Sequence, residues 1–115
     1  MLPAMPDRSQ PATIYVVGDV HRNWRPVDGH YLEQTAPDIV LFVGNLGDED
    51  VEFVGEIADL RADKAVMLGN HDAWRSFSEK RVTPALSESL ERLGSDHLAY
   101  ARRELPAAGL SLVGA

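Results

Sequence analysis

A chain of 115 residues with 44% hydrophobic and 25% charged side chains suits one soluble globular domain built on a single modest core. Its net charge of −7 argues against broad electrostatic attraction to nucleic acid or an anionic membrane, and the lack of cysteine excludes disulfides and thiolate metal sites. No apolar run nears the roughly 20 residues of a membrane span, whereas a phosphorylated substrate stays compatible with the charge because bound cations reverse the local field.

Residues 1–12 hold Pro3, Pro6 and Pro11 and no apolar core segment. They are expected to form a disordered lead-in, not a secretory signal, which makes the cytoplasm the expected location and 13–115 the folded domain. Thr13 to Val17 is β-branched and aromatic and is followed by Gly18, the pattern of a buried strand. A polar exit loop, Arg22 to Pro26, leads to a short helix over Val27–Gln34, with Asp28 in its first turn and a break at Pro37-Asp38. Ile39 to Val43 is the second buried strand, closed by Gly44. The acidic run Asp48-Glu49-Asp50 then suits the start of a helix over Val51–Leu60, where Phe53, Ile57 and Leu60 share a face with Val54 beside them.

Ala65 to Leu68 is the third strand, closed by Gly69. Thr83-Pro84 reads as a helix N-cap followed by proline in the first turn, Leu86, Leu90 and Leu93 as the apolar face of that helix, and Gly94 as its end. His97–Ala101 and Leu110–Val113 are short strand candidates. Strands alternating with helices predict an α/β fold with a largely parallel sheet. Right-handed crossovers then bring the three post-strand loops to one edge, where open α/β sheets carry their sites.

Those loops hold Asp19 and His21; Asn45 and Asp48; and Asn70, His71 and Asp72. Carboxylate, imidazole and amide oxygen suit Mn, Fe or Zn and, with fewer nitrogens, Mg. Two such ions grip a phosphoester and activate water, and a nearby histidine protonates the leaving group. Several of these residues also admit plainer roles. Asn45 suits a left-handed turn as well as a ligand position. Asp48 belongs to an acidic run that suits a solvated helix start, and Asp72 reads equally as a loop cap. Trp24 and Trp74 read as packing anchors before substrate contacts, Arg22 as an exposed cation, and His30 and His97 as structural or surface residues.

Gly18-Asp19-Val20-His21, Gly44-Asn45-Leu46-Gly47-Asp48 and Gly69-Asn70-His71-Asp72, in that order and each after a strand, resemble the first three signature blocks of the calcineurin-like metallophosphoesterases. The Val43-Gly44-x-x-Gly47 and Leu68-to-Trp74 contexts are similar to a subgroup found in cyanobacteria and plants. The resemblance implies a layered β-sheet with flanking helices and ligands on loops at strand carboxyl ends, of which this chain supplies the N-terminal half. It implies a phosphoester substrate and nominally two divalent ions. Asp19 and His21 would bind the first ion and Asn70 the second, with His71 beside the scissile bond and Asp48 orienting its ring.

The chain departs from the family in three ways. Asn45 stands where the family's bridging aspartate is expected, and a neutral amide bridges two dications poorly. The family's further metal-binding histidines, in a Gly-His-x-His block, lie downstream of the third motif, so the chain is expected to be truncated or to need a missing C-terminal half. Arg22 replaces a frequent glycine. The alternative to an active hydrolase is therefore a metal- or phosphate-binding descendant, or a fragment without function.

Overall fold

A computed structural model describes residues 11–114; all but the last two residues of the expected lead-in lie outside the described residues. Strands β1 (Ile14–Val17), β2 (Ile39–Val43) and β3 (Lys64–Met67) form a parallel sheet in the order β1-β2-β3. Helices α1 (Pro26–Thr35) and α2 (Val51–Ala58) make the two crossovers that parallel pairing requires. Then come the short α3 (Trp74–Glu79), α4 (Pro84–Leu93) and an antiparallel hairpin of β4 (Arg102–Leu105) and β5 (Leu110–Val113). The architecture is α/β, as expected for the N-terminal part of a layered phosphoesterase sheet. Among the described residues, no helix is long and apolar enough to cross a membrane.

Side chains alternate across the sheet and divide the core in two. Val40, Phe42 and Val66 face the helices and pack with Leu32 of α1, Phe53, Val54 and Ile57 of α2, and Leu93 of α4. Ile39 and Ala65 face the other way, joined by Leu98 and covered in part by Leu105 and Leu112 of the hairpin. Because β2 is covered on both faces, its sequence is a continuous apolar run. The edge strand β1 is less enclosed, and Val16 stays exposed.

Several elements differ from the sequence reading, among them α3, which it leaves without a helix, and α2, which ends at Ala58 and not Leu60. His97–Ala101 is not a strand: His97 makes a single bridge to Val66, the Leu98 N–H donates to the Val66 carbonyl (3.0 Å), and Tyr100 turns into the left-handed region at φ 54°. The strand runs instead over Arg102–Leu105, whose three consecutive charged residues give no apolar signal. β3 starts one residue early, at Lys64, which is buried with its ammonium 3.2 Å from Asp96 and donating to the Leu60 carbonyl (3.2 Å). A lysine is tolerated there because its charge is paired. On α4 the deeply buried middle position is Ser89, not Leu90, opposite a helix α2 that itself buries Gly55. Small residues on both helices let the backbones approach.

Helix α2 begins on a specific cap. Asp50 Oδ1 accepts from the Glu52 N–H (3.0 Å) and the Phe53 N–H (3.2 Å), satisfying two of the amides that a helix start leaves unpaired. Asp50→Ala is expected to cost about 1 kcal/mol in urea unfolding and Asp50→Asn much less, since Asn caps almost as well. Equal stability of all three proteins would show that the cap contributes nothing.

Candidate functional site

The carboxyl ends of β2 and β3 meet backbone to backbone. Gly44 takes φ +93°, and a Cβ on it would lie 3.1 Å from the Gly69 Cα; a Cβ on Gly69 would lie 2.5 Å from Asn45 Oδ1. Only residues without side chains let the second and third loops approach this closely. The glycines that close β2 and β3 are thus a condition for the second and third loops to form one site.

A buried carboxylate fastens them. Asp72, 3% exposed, accepts from the Leu46 and Gly47 N–H groups through Oδ1 (2.8 Å each) and from the Gly69 N–H through Oδ2 (2.8 Å). Charge-assisted bonds of this kind are about twice as strong as neutral ones, and each of these amides would otherwise lack a partner. Asn45 adds a fourth link, its Oδ1 accepting from the His71 N–H at 3.2 Å. The first loop joins through its backbone: the N–H groups of Asp19, His21 and Arg22 donate to the carbonyls of Gly44 (3.1 Å), Asn45 (2.9 Å) and Leu46 (2.7 Å).

The price of this arrangement is backbone strain. Asp19, His21, Arg22, Asn45, Asp48 and Glu49 all adopt φ between 48° and 64°. Non-glycine residues in that region cost about 1–3 kcal/mol each, and such strain concentrates where geometry serves function.

Four side chains converge on the joint. His21 sits between two carboxylates, with Nε2 2.7 Å from Asp19 Oδ1 and Nδ1 3.2 Å from Asp48 Oδ1. The bond to Asp48, then that to Asp19, raises the His21 pKa above its usual 6.5. His71 meets His21 edge to face, ring centres 5.0 Å apart, and its Nδ1 lies 3.8 Å from Asp48 Oδ1, within ion-pair range but beyond a hydrogen bond. Asp48 therefore stands between the two rings. The Asp19 side chain is 81% exposed and open to a ligand.

The remaining candidates divide. Asn70 is exposed and opens the 3₁₀ turn His71–Ala73 without capping it by its side chain. Trp24 is a packing anchor, 6.2 Å from both Phe42 and Phe53. Trp74 is not: it stacks on His71 at 5.6 Å and 15°, and stays 53% exposed. Arg22 pairs with Asp50 at 2.9 Å.

Sequence reading treats Asp48-Glu49-Asp50 as one acidic run, but the three point in different directions. Asp48 faces the histidines, Asp50 caps α2, and Glu49, 8% exposed, turns inward. Its carboxylate accepts from the Arg75 N–H and from the hydroxyls of Ser76 (2.9 Å) and Thr83 (2.8 Å). Burial pushes the Glu49 carboxyl upward, but the Thr83 and Ser76 hydroxyls and the Arg75 N–H outweigh it and hold the pKa below the usual 4.5. Nothing in the sequence singles Glu49 out. Its partners Ser76 and Thr83 lie 27 and 34 positions along the chain, so only the fold brings them together.

His21, Asp48 and His71 each offer one ligand atom, all within 4.8 Å of one another. Two imidazole nitrogens and a carboxylate oxygen form a donor set that fits a first-row divalent ion. The surrounding negative charge, which favours protonated His21 in the free protein, favours a cation in the same place.

The family description of the calcineurin-like phosphoesterases matches residues 12–108. No curated protein and no solved structure matches the chain.

Asp72→Ala removes three bonds at once and is expected to cost at least about 3 kcal/mol, as for a buried charged acceptor. Asp72→Asn keeps Oδ1 for Leu46 and Gly47 and turns an NH₂ toward Gly69, so its cost is expected to be intermediate. Urea unfolding of the three proteins measures the order; a neutral Asp72→Ala would contradict the fastening role.

Proposed function

The chain belongs to the calcineurin-like phosphoesterases, and from that premise we propose that it is a metal-dependent phosphoester hydrolase acting where its three post-strand loops meet. The observation that carries this reading is the meeting of the three loops, which gathers Asp19, His21, Asp48 and His71 at one joint. Asp19 and His21 would hold the first divalent ion, their mixed oxygen and nitrogen donors suiting Mn, Fe or Zn. Asn70 offers its side-chain oxygen to a second. A bound ion supplies Lewis-acid polarisation of a phosphoryl oxygen and lowers the pKa of water.

The chain's own residues supply the rest. His71 donates a proton to the leaving oxygen, or stabilises charge on it, beside the reacting phosphorus. Asp48, 3.8 Å from the His71 Nδ1, is placed to orient the ring by its charge, and Trp74 limits the ring's rotation by stacking on it. Asp72 acts on none of the reacting atoms. It keeps the second and third loops at the spacing that the other groups need.

A second reading rests on Asn45. Its Oδ1 is engaged by the His71 N–H at 3.2 Å, which supports a loop-holding role in place of a metal bridge. On this reading the chain is a descendant that binds metal or phosphate without turnover.

With Mn²⁺ present, p-nitrophenol release from p-nitrophenyl phosphate or its bis ester is expected; Asp19→Ala abolishes it and His71→Ala lowers it by about 10²–10⁴-fold. No turnover with Mn, Fe, Zn or Mg defeats the hydrolase reading. In that case Mn²⁺ binding by calorimetry, with turnover gained by Asn45→Asp, establishes the second. Protons compete with the ion for His21, whose pKa lies above 6.5, so Mn²⁺ affinity is expected to fall as pH drops through that raised value. Asp48→Asn relieves the larger cause of the shift and moves this fall to lower pH.

A further inference from the structure

The loop that presents Asp48 to the two histidines also reaches into α3 through the next residue. Left-handed conformations at Asp48 (φ 50°) and Glu49 (φ 62°) send these neighbouring carboxylates to opposite sides of the loop. Outward lies Asp48, facing His21 and His71. Inward lies Glu49, and its Oε2 accepts from the N–H of Arg75, the residue that follows Trp74. Oε1 accepts from Ser76 of α3 and from Thr83, whose Oγ1 also takes the Leu86 N–H at the start of α4. The Thr83 N–H donates to Ser76 Oγ (3.0 Å), so carboxylate, serine and threonine close a small buried circuit.

Helix α3 is six residues long and is weakly held otherwise. Its outer residues Trp74 and Phe77 are largely exposed, and its buried residue is Ser76. Isolated helices of this length do not persist in water, so the helix needs an anchor. That anchor is Glu49, which meets α3 in its first turn, one residue from the indole stacked on His71.

We propose that Glu49 is a positioning residue for His71: by holding the Arg75 N–H it sets the first turn of α3, and through it the Trp74 ring against the His71 imidazole. The inference rests on the hydrolase reading only in giving His71 a task; the positioning itself is a property of the metal-free chain. One loop thus fixes His71 from two sides, by charge through Asp48 and by packing through Glu49 and Trp74. Glu49 itself never meets the substrate.

Glu49→Gln separates the two arms of the clamp. The amide keeps an oxygen for the Ser76 and Thr83 hydroxyls but turns an NH₂ against the Arg75 N–H. Glu49→Asp keeps the charge but is one methylene short of α3. Thr83→Val removes the α4 arm and leaves the Arg75 bond intact. Proton NMR of the metal-free chain reads the result directly, through cross-peaks between the His71 imidazole and Trp74 indole protons. Those between Trp24 and the Phe42 and Phe53 rings report on the core.

The His71–Trp74 cross-peaks are expected to vanish in Glu49→Gln and Glu49→Asp, with the Trp24 set kept, and to survive in Thr83→Val. Retention of the stack in either Glu49 variant overturns the proposal. So does loss of the Trp24 contacts together with those of Trp74 in both Glu49 variants, or loss of the stack in Thr83→Val. Glu49 would then be a general stabiliser. Because no metal or substrate takes part, failure here leaves the hydrolase reading standing, and absence of turnover leaves this result standing.

Discussion

The buried carboxylate of Asp72 is the interaction on which the site depends. Three backbone N–H groups from two loops converge on it, and without it they would be left unpaired next to the core. Removing such a charged acceptor costs far more than the bonds are worth in net terms, because the donors stay buried. The glycines at the ends of β2 and β3 make the approach possible, and Asp72 makes it favourable. The six left-handed residues of the first two loops are tolerated because these bonds over-determine the backbone.

From this fastening follows the electrostatic character of the site. Asp19 and Asp48 bracket His21, and His71 stands edge-on beside it, so two imidazoles share a small volume with two carboxylates. In the free protein the two carboxylates, Asp48 first and then Asp19, raise the His21 pKa above its usual value. The same negative charge that favours a proton there favours a divalent cation. Trp74, half-exposed on the flank of His71, keeps the ring ordered at the edge of solvent.

Much of the fold was legible in the sequence because its first half obeys simple periodicity. β1 and β2 are continuous apolar runs closed by glycine, and α2 shows its buried face in Phe53, Val54 and Ile57. The loop residues that meet at the sheet edge followed from chain order alone. What was not legible depended on side-chain direction in irregular backbone. Asp48, Glu49 and Asp50 are equivalent as letters, yet their φ values of 50°, 62° and −84° send them to the site, to the interior and to a helix cap. The Arg102–Leu105 strand was hidden because its first three residues are all charged. Lys64 was hidden because a buried lysine is recognisable only once Asp96 is known to be near. Asp72 read as a loop cap or a functional group; it is the former for two loops at once, one of them 25 residues away.

The central claim is that the three loops form one divalent-ion site. Paramagnetic broadening by Mn²⁺ in a ¹H–¹⁵N spectrum tests it most directly, since the ion broadens only amides close to it. The account predicts that substoichiometric Mn²⁺ broadens the amides of Asp19 to His21, Asn45 to Asp48 and Asn70 to Asp72 together and saturably, and that His21→Ala weakens all three sets at once. Broadening centred on amides outside these loops, or confined to one loop, would contradict it.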